Sequence, residues 1–195
     1  MYKSIFNTVS AAGQSLLPPA GLSHVAMPAL REAPELRPMQ EGDADAVLGL
    51  IRKTMNASEA EYARQTLDFH FSCKTHDIAD GRSYYVLEDN PAISGIVGLH
   101  RYCWDPPENV WLAWFAVDPV LQGQGLGKRL LKFAVDLARR QGYEKIFIET
   151  YSTPEFARAR RFYRSQGFQK AGSVRSYLPN GGDMVVFSKE LIPPV

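Results

Sequence analysis

Three glycines at alternate positions, Gly123, Gly125 and Gly127, follow an apolar run that ends at Asp118-Pro119, and a helical pattern begins at once behind them. Glycine at that density costs chain order, so it marks a place where the backbone takes a special turn or approaches something closely. Between a buried strand and a helix, successive inward N–H groups and the positive end of the helix together cradle an anion. A triphosphate-binding loop is excluded, because no Gly-Lys-Ser/Thr ending is present. The dinucleotide fingerprint is also wrong. "GQGLGK" is spaced Gly-x-Gly-x-Gly, and the strand before it lies mid-chain instead of opening a βαβ unit. The simpler alternative is a tight strand-to-helix connection with no ligand.

Other residues with chemical potential carry weaker patterns. His70, Cys73 and His76 share one segment without a fourth ligand or a zinc spacing, so no metal is expected there. Cys73 and Cys103 are too few for a disulfide framework and read as two reduced thiols of a cytoplasmic protein. Arg158, Arg160, Arg161 and Arg164 make one helix basic; a solvated face explains them, with one arginine free to reach a phosphate. Trp104, Trp111 and Trp114 fit either core packing or a substrate wall.

The elements that must position the loop follow from periodicity. "ELRPM" (35–39) reads as a short strand, and Asp43 stands where it could cap a helix through Met55. A second helix covers Glu59 to about Cys73. Two antiparallel strands, Ser83–Glu88 and Ser94–Trp104, surround the turn "DNPA". The run Val110–Val117 is apolar on both faces, as a central strand covered on both sides should be. Apolar residues at 126, 130, 134, 137 and 138 line one face of the following helix, which stops at Gly142. A strand at Lys145–Thr150, a helix over Pro154–Ser165 stopped by Gly167, and two strands, about 168–177 and 184–190, complete the order. The fold class is therefore α/β or α+β: one mixed sheet with helices on both faces.

The chain of 195 residues suits one domain at 35–195 behind an extension at 1–34. That extension is acid-poor and rich in Pro, Ala and Ser. It is expected to pack on the domain or on a second copy, which makes a homodimer conceivable. A formal net charge of +1 gives no global attraction for nucleic acid or an anionic membrane. No apolar run reaches the ~20 residues needed to span a bilayer. A small anionic ligand, bound locally, remains.

With these residues in view, "AVDPVLQGQGLGKRLL" resembles the GNAT superfamily of acetyl-CoA-dependent N-acetyltransferases. The pyrophosphate loop of that family, Gln/Arg-x-x-Gly-x-Gly/Ala, is met by Gln122, Gly125 and Gly127. The resemblance runs over about 36–190. It implies a mostly antiparallel GNAT-like sheet and a strand end, Phe115, Ala116 and Val117, whose backbone pairs with the pantetheine arm and polarises the thioester carbonyl. It further implies that Gln122, Gly123, Gln124, Gly125, Leu126, Gly127 and Lys128 hold the phosphates, with no metal.

A second family signature, Ala-x-x-φ-Tyr-x-x-x-Gly-Phe, is met by Ala159, Phe162, Tyr163, Gly167 and Phe168. It implies Tyr163 as the acid that protonates the departing thiolate. Glu149 occupies the strand on which ribosomal-protein alanine N-acetyltransferases carry their base. It stands further from Tyr163 than the family spacing, and Phe156 sits where the family often has Asn. Glu108 or a water chain is the alternative base. The implied activity is acetyl transfer from acetyl-CoA to a primary amine of a small molecule or peptide by direct attack. The rival reading is a non-catalytic acyl-CoA-binding sensor or scaffold.

Overall fold

Alternating and doubly apolar runs condense into one seven-stranded sheet. In chain order the elements of this computed structural model are β1 (Glu35–Pro38), α1 (Ala44–Thr54), α2 (Ala57–Thr75), β2 (Arg82–Asp89), β3 (Ala92–His100) and β4 (Asn109–Val117). They continue with α3 (Leu126–Arg140), β5 (Lys145–Tyr151), α4 (Ala157–Ser165), β6 (Gln169–Val174) and β7 (Met184–Glu190). The structure describes residues 34–89 and 92–191. The extension expected at 1–34 therefore lies, but for its last residue, outside the described residues.

The strand order is β1-β2-β3-β4-β5-β7-β6, antiparallel throughout except for the parallel pair β4–β5. The mixed, mostly antiparallel sheet expected from the sequence is present. Period-two alternation sorts its side chains to two faces. On one face Leu87, Val97, Leu99, Val110, Leu112, Ile146 and Ile148 pack with Leu130, Leu131, Ala134 and Ala138 of α3 and with Tyr163 of α4. On the other, Tyr84, Val86, Ile96 and Ala116 pack with Val47, Leu50 and Ile51 of α1 and with Ala63, Leu67 and Phe71 of α2. The α3 stripe is the one its periodicity marks, with Leu126 and Leu137 half-buried at its margins.

Several boundaries differ from the sequence expectation. Asp43 does not cap α1: it has helical backbone angles and closes a 3-10 turn, Glu41–Asp43. Its carboxylate turns back to accept the Gln40 N–H at 2.8 Å and the Arg37 guanidinium at 2.7 and 2.9 Å. Arg37 also donates to Glu88 at 2.6 Å, so the acid is recruited by a strand cation. Strand β3 stops at His100, because Tyr102 to Trp104 leave the ladder for the turn "RYCWDPPE". The expected helix at Pro154 opens as a 3-10 turn, Pro154–Phe156, before α4. Strand β6 ends at Val174, three residues short of Tyr177.

Two irregularities of β4 were not visible in the sequence. Between the pairs Val97↔Phe115 and Leu99↔Leu112, β4 carries one residue more than β3, a bulge that aims both Ala113 and Trp114 at the α1/α2 face. On its other side β4 pairs with β5 only at Asn109↔Lys145, Val110↔Ile146 and Trp111↔Phe147. Beyond that point β5 continues with β7 to Tyr151. The two central strands thus splay apart and open a wedge through the middle of the sheet.

Candidate functional site

The wedge holds a cleft of about 870 Å³. The β4 residues beyond the last β5 pair face it, so backbone donors and acceptors that a neighbouring strand would use are left on an inner edge. Phe115, Ala116 and Val117 all line it. The loop after β4 closes one end. Asp118 accepts the Val120 N–H at 2.9 Å, and the Gln122 side-chain amide donates to the Val117 carbonyl at 3.0 Å. Gln122 therefore ties the loop to the strand end.

Gly123 and Gly125 adopt left-handed backbone angles, φ +87° and +84°, which side-chain-bearing residues rarely take. Gly125 is the N-cap of α3, so the free N–H groups of the first helical turn open at that end of the cleft. Gly127 differs: it lies inside α3, and a Cβ there would meet Phe162 and Phe115 at ordinary contact distances, 3.7 and 3.9 Å. Gln122, Gly123, Gly125 and Gly127 line the cleft. Gln124 and Lys128 are exposed, and Leu126 packs against the core; none of these three side chains lines it.

Tyr163 reaches the cleft from α4. Its ring is fixed among Phe115, Phe162, Phe168 and Phe187, with centroids 5.7–6.3 Å away. The side chain is buried, and no described residue hydrogen-bonds its hydroxyl. Burial pushes the phenol well above the usual tyrosine range, so it is a proton donor, never a phenolate, at neutral pH. The Thr150 hydroxyl is likewise buried, lines the cleft and has no partner among the described residues.

Glu149 stands on β5 between two buried residues and projects to the opposite, α1/α2 face. It lines the cleft and accepts the Tyr151 hydroxyl at 3.0 Å. Across from it, Glu59 near the start of α2 lines the same cavity. Burial, reinforced by the charge of Glu149, raises the Glu59 carboxyl above its ordinary value. Burial and that charge also push the Tyr151 phenol up. Glu108, the alternative base, is exposed and outside the cleft; its carbonyl accepts the Glu144 N–H.

The rest of the α1/α2 face supplies Trp114, one of the tryptophans marked in the sequence, together with groups that sequence reasoning missed. Trp114 donates to the Thr66 hydroxyl at 2.6 Å, which places an indole beneath α2. His100 is driven down to about 4 by burial and by the nearby Arg82, so it is neutral. Tyr102, Tyr84 and Arg82 complete that wall. Of the other tryptophans, Trp111 stacks on Phe147 and donates to Asp105 at 2.7 Å, while Trp104 lies exposed over Tyr102. Of the four helix arginines, Arg158 alone lines the cleft; Arg160 instead binds the Tyr151 and Thr153 carbonyls behind the β5 end. His70 is buried and paired with Asp80 at 2.9 Å.

A strand-to-helix glycine loop, a split central strand pair and a buried tyrosine at the split characterise this mixed α/β fold. Residues 47–168 match the Acetyltransferase (GNAT) family, and the chain belongs to it. It is 32% identical over 102 residues to the N-alpha-acetyltransferase RimI of Mycobacterium tuberculosis, covering 52% of this chain and 61% of that relative. The chain spans about half the length of the curated relatives it matches. Among solved structures, a Desulfovibrio desulfuricans protein assigned to the same family superposes with a TM-score of 0.74 at 24% identity, over 82% of this chain and all of that one. The yncA protein of Salmonella typhimurium, solved with its cofactor acetyl-CoA, gives 0.66 at 19%, over 84% and 97%. At these identities the structural likeness is one of fold. Among the described residues no group of three His, Cys, Asp or Glu is arranged to hold a metal, and no helix is long and apolar enough to cross a membrane.

Proposed function

We propose that the chain transfers an acetyl group from acetyl-CoA to a primary amine by direct attack. The observation that carries this reading is one continuous cleft lined by the glycine loop, Tyr163 and Glu149, within a chain of the GNAT family. The diphosphate of the cofactor sits on the loop and the first turn of α3, with Gln122, Gly123, Gly125 and Gly127 forming the cradle. Gln124, Leu126 and Lys128 contribute through backbone N–H groups only. The pantetheine arm lies along the free edge of β4 at Phe115–Val117 as a strand would. The thioester carbonyl then accepts a main-chain N–H from that edge as it gains charge.

The acceptor enters from the α1/α2 face as an ammonium ion. Glu149 takes its proton, and the free amine attacks the thioester carbon. As the C–S bond breaks, the thiolate takes the Tyr163 phenolic proton, and Tyr163 recovers a proton from the nitrogen of the new amide. Cys73 is buried and Cys103 exposed, and neither lines the cleft, so no acyl-enzyme is invoked. A thiol-release assay of the purified protein with acetyl-CoA against a panel of amines tests the reading. Turnover with any amine supports it. Tight acetyl-CoA binding with no turnover across the panel instead supports a sensor or scaffold.

A further inference from the structure

Arg82 is a cation in the cleft that the proposed reaction leaves unused. Its side chain is 17% exposed, and it lines the cavity at the first position of β2. Its anchor is Asp80, almost fully buried, which accepts the Arg82 main-chain N–H at 3.0 Å and touches Nη1 at 3.5 Å. Asp80 is shared: the Nδ1 atom of buried His70 lies 2.9 Å from the same oxygen. Despite its burial, Asp80 is held below the usual carboxylate range by these contacts, so it stays charged and fixes the base of the arginine. The guanidinium also lies over the Phe69 ring at 5.6 Å and meets the Tyr84 hydroxyl. No other described residue takes its remaining N–H groups. A half-buried guanidinium has lost much of its hydration, and unfilled donors in a planar fork match a carboxylate. His100, the partner of Arg82 in the ladder, is neutral and does not compete for an anion.

The register fixes how far this cation lies from Glu149. Arg82 pairs with His100, His100 with Trp111, and Trp111 with Phe147, all on the α1/α2 face. Three strand spacings of about 4.8 Å separate Arg82 from Phe147, and Glu149 lies two residues further along β5 at about 3.3 Å each. An arginine and a glutamate leaning toward one another across that span leave a gap on the order of 6–10 Å between their charged ends. An ammonium and a carboxylate separated by one to three carbons fill such a gap with a hydrogen bond at each end. The lining between them is aromatic: Tyr84, Tyr102 and Trp114.

We propose that the acceptor is an amino carboxylate, held with its reacting ammonium at Glu149 and its carboxylate on the Arg82 guanidinium. Glu59 lies beside the ammonium position and Arg82 is the cation nearest the far end, so a dipolar molecule is seated in one direction only. This rests on reading the cleft as an acetyltransferase site.

The test compares acceptors that differ only in the carboxylate: β-alanine against n-propylamine, and leucine against isoamylamine, by thiol release from acetyl-CoA. The amino acid is expected to have the higher kcat/KM by on the order of 10²-fold, the scale of a desolvated charge pair, mostly through KM. Arg82→Gln should collapse that ratio toward one, and Arg82→Lys should retain part of it. Arg82→Gln/Asp80→Asn removes both charges together and serves if the single variant fails to fold. Equal turnover of acid and bare amine by the wild type overturns the proposal, as does a ratio that survives loss of Arg82. If no amine of either kind releases thiol although acetyl-CoA binds, the acetyl-transfer reading itself fails and this one falls with it.

Discussion

Tyr163 and Glu149 line one cleft from opposite faces of the sheet. Tyr163 belongs to the α3-side core, whereas Glu149 projects beside α2, and only the splay of β4 from β5 lets both reach the same space. In the proposed reaction the proton donor and the proton acceptor are thereby separated by the thickness of the sheet. That proposal brings the acceptor from one face and the cofactor from the other, so that they meet between the two side chains.

The raised carboxyl of Glu59 makes a stability prediction. Its folded-state affinity for a proton exceeds that of the unfolded chain, because burial and Glu149 disfavour its charge. The native state therefore binds more protons between the unfolded value, about 4.3, and the higher folded one, and stability falls as pH rises through that window. Glu59→Gln removes the penalty while keeping the main-chain N–H that Asn56 caps at 2.8 Å. The variant is expected to melt at or above the wild-type temperature at pH 7, with the advantage gone near pH 4. A lower melting temperature at pH 7 means that a favourable partner of the Glu59 carboxylate outweighs its burial.

Much of this arrangement was legible in residue types. The loop from Asp118 to Gly125, the stripe of α3 and the placing of Tyr163 follow from glycine, periodicity and motif spacing. The splay was not, because residue types carry no signal of where pairing between two strands stops, here after Trp111↔Phe147. The bulge at Ala113 and Trp114 was hidden for the same reason. Arg82 and Glu59 were missed because each is an ordinary charge at the start of an element. Only register and packing bring them to Glu149, 67 and 90 positions away in the chain. Asp43 erred in the opposite direction: its capping pattern is real, but Arg37 and Gln40 outcompete the helix for its carboxylate.

Gly125→Val tests the loop. A Cβ at this position meets nothing within 4 Å, so the cost is conformational: φ +84° is strained by about 1–3 kcal/mol for a β-branched residue. The buried face of α3 holds the helix in place, so the variant should fold with a melting temperature a few degrees lower. Calorimetric titration should show acetyl-CoA affinity reduced by on the order of tenfold or more, since the cradle loses its shape. Unchanged affinity assigns the glycines to turn formation alone.

Phe187 tests how the Tyr163 ring is held. It is fully buried, packs against the Tyr163 ring at 6.3 Å, and has the Arg164 guanidinium over its ring at 5.4 Å. Phe187→Ala is expected to cost about 3–5 kcal/mol in denaturant unfolding. Turnover of the folded fraction should fall as well, because the phenol loses one wall. A cost below 1 kcal/mol would mean the core closes over the gap.

Tyr163→Phe decides the mechanism. The substitution removes one hydroxyl that has no partner among the described residues and keeps a ring packed on four others, so folding and coenzyme affinity should be preserved. If the phenol protonates the leaving thiolate, turnover falls by on the order of 10²-fold or more, the usual scale for a lost general acid. Glu149→Gln acts on the other proton. Its turnover should fall near neutral pH and recover as the pH approaches the acceptor's own value, where free amine no longer needs a base; Tyr163→Phe should show no such recovery. Both variants must be measured with an acceptor the wild type turns over well, since slow hydrolysis of acetyl-CoA sets a floor that masks either loss. Full turnover by Tyr163→Phe with that acceptor refutes the acid role. A pH-independent deficit in Glu149→Gln assigns the carboxylate to binding the ammonium and moves the base to Glu59, whose raised carboxyl is better matched to the task.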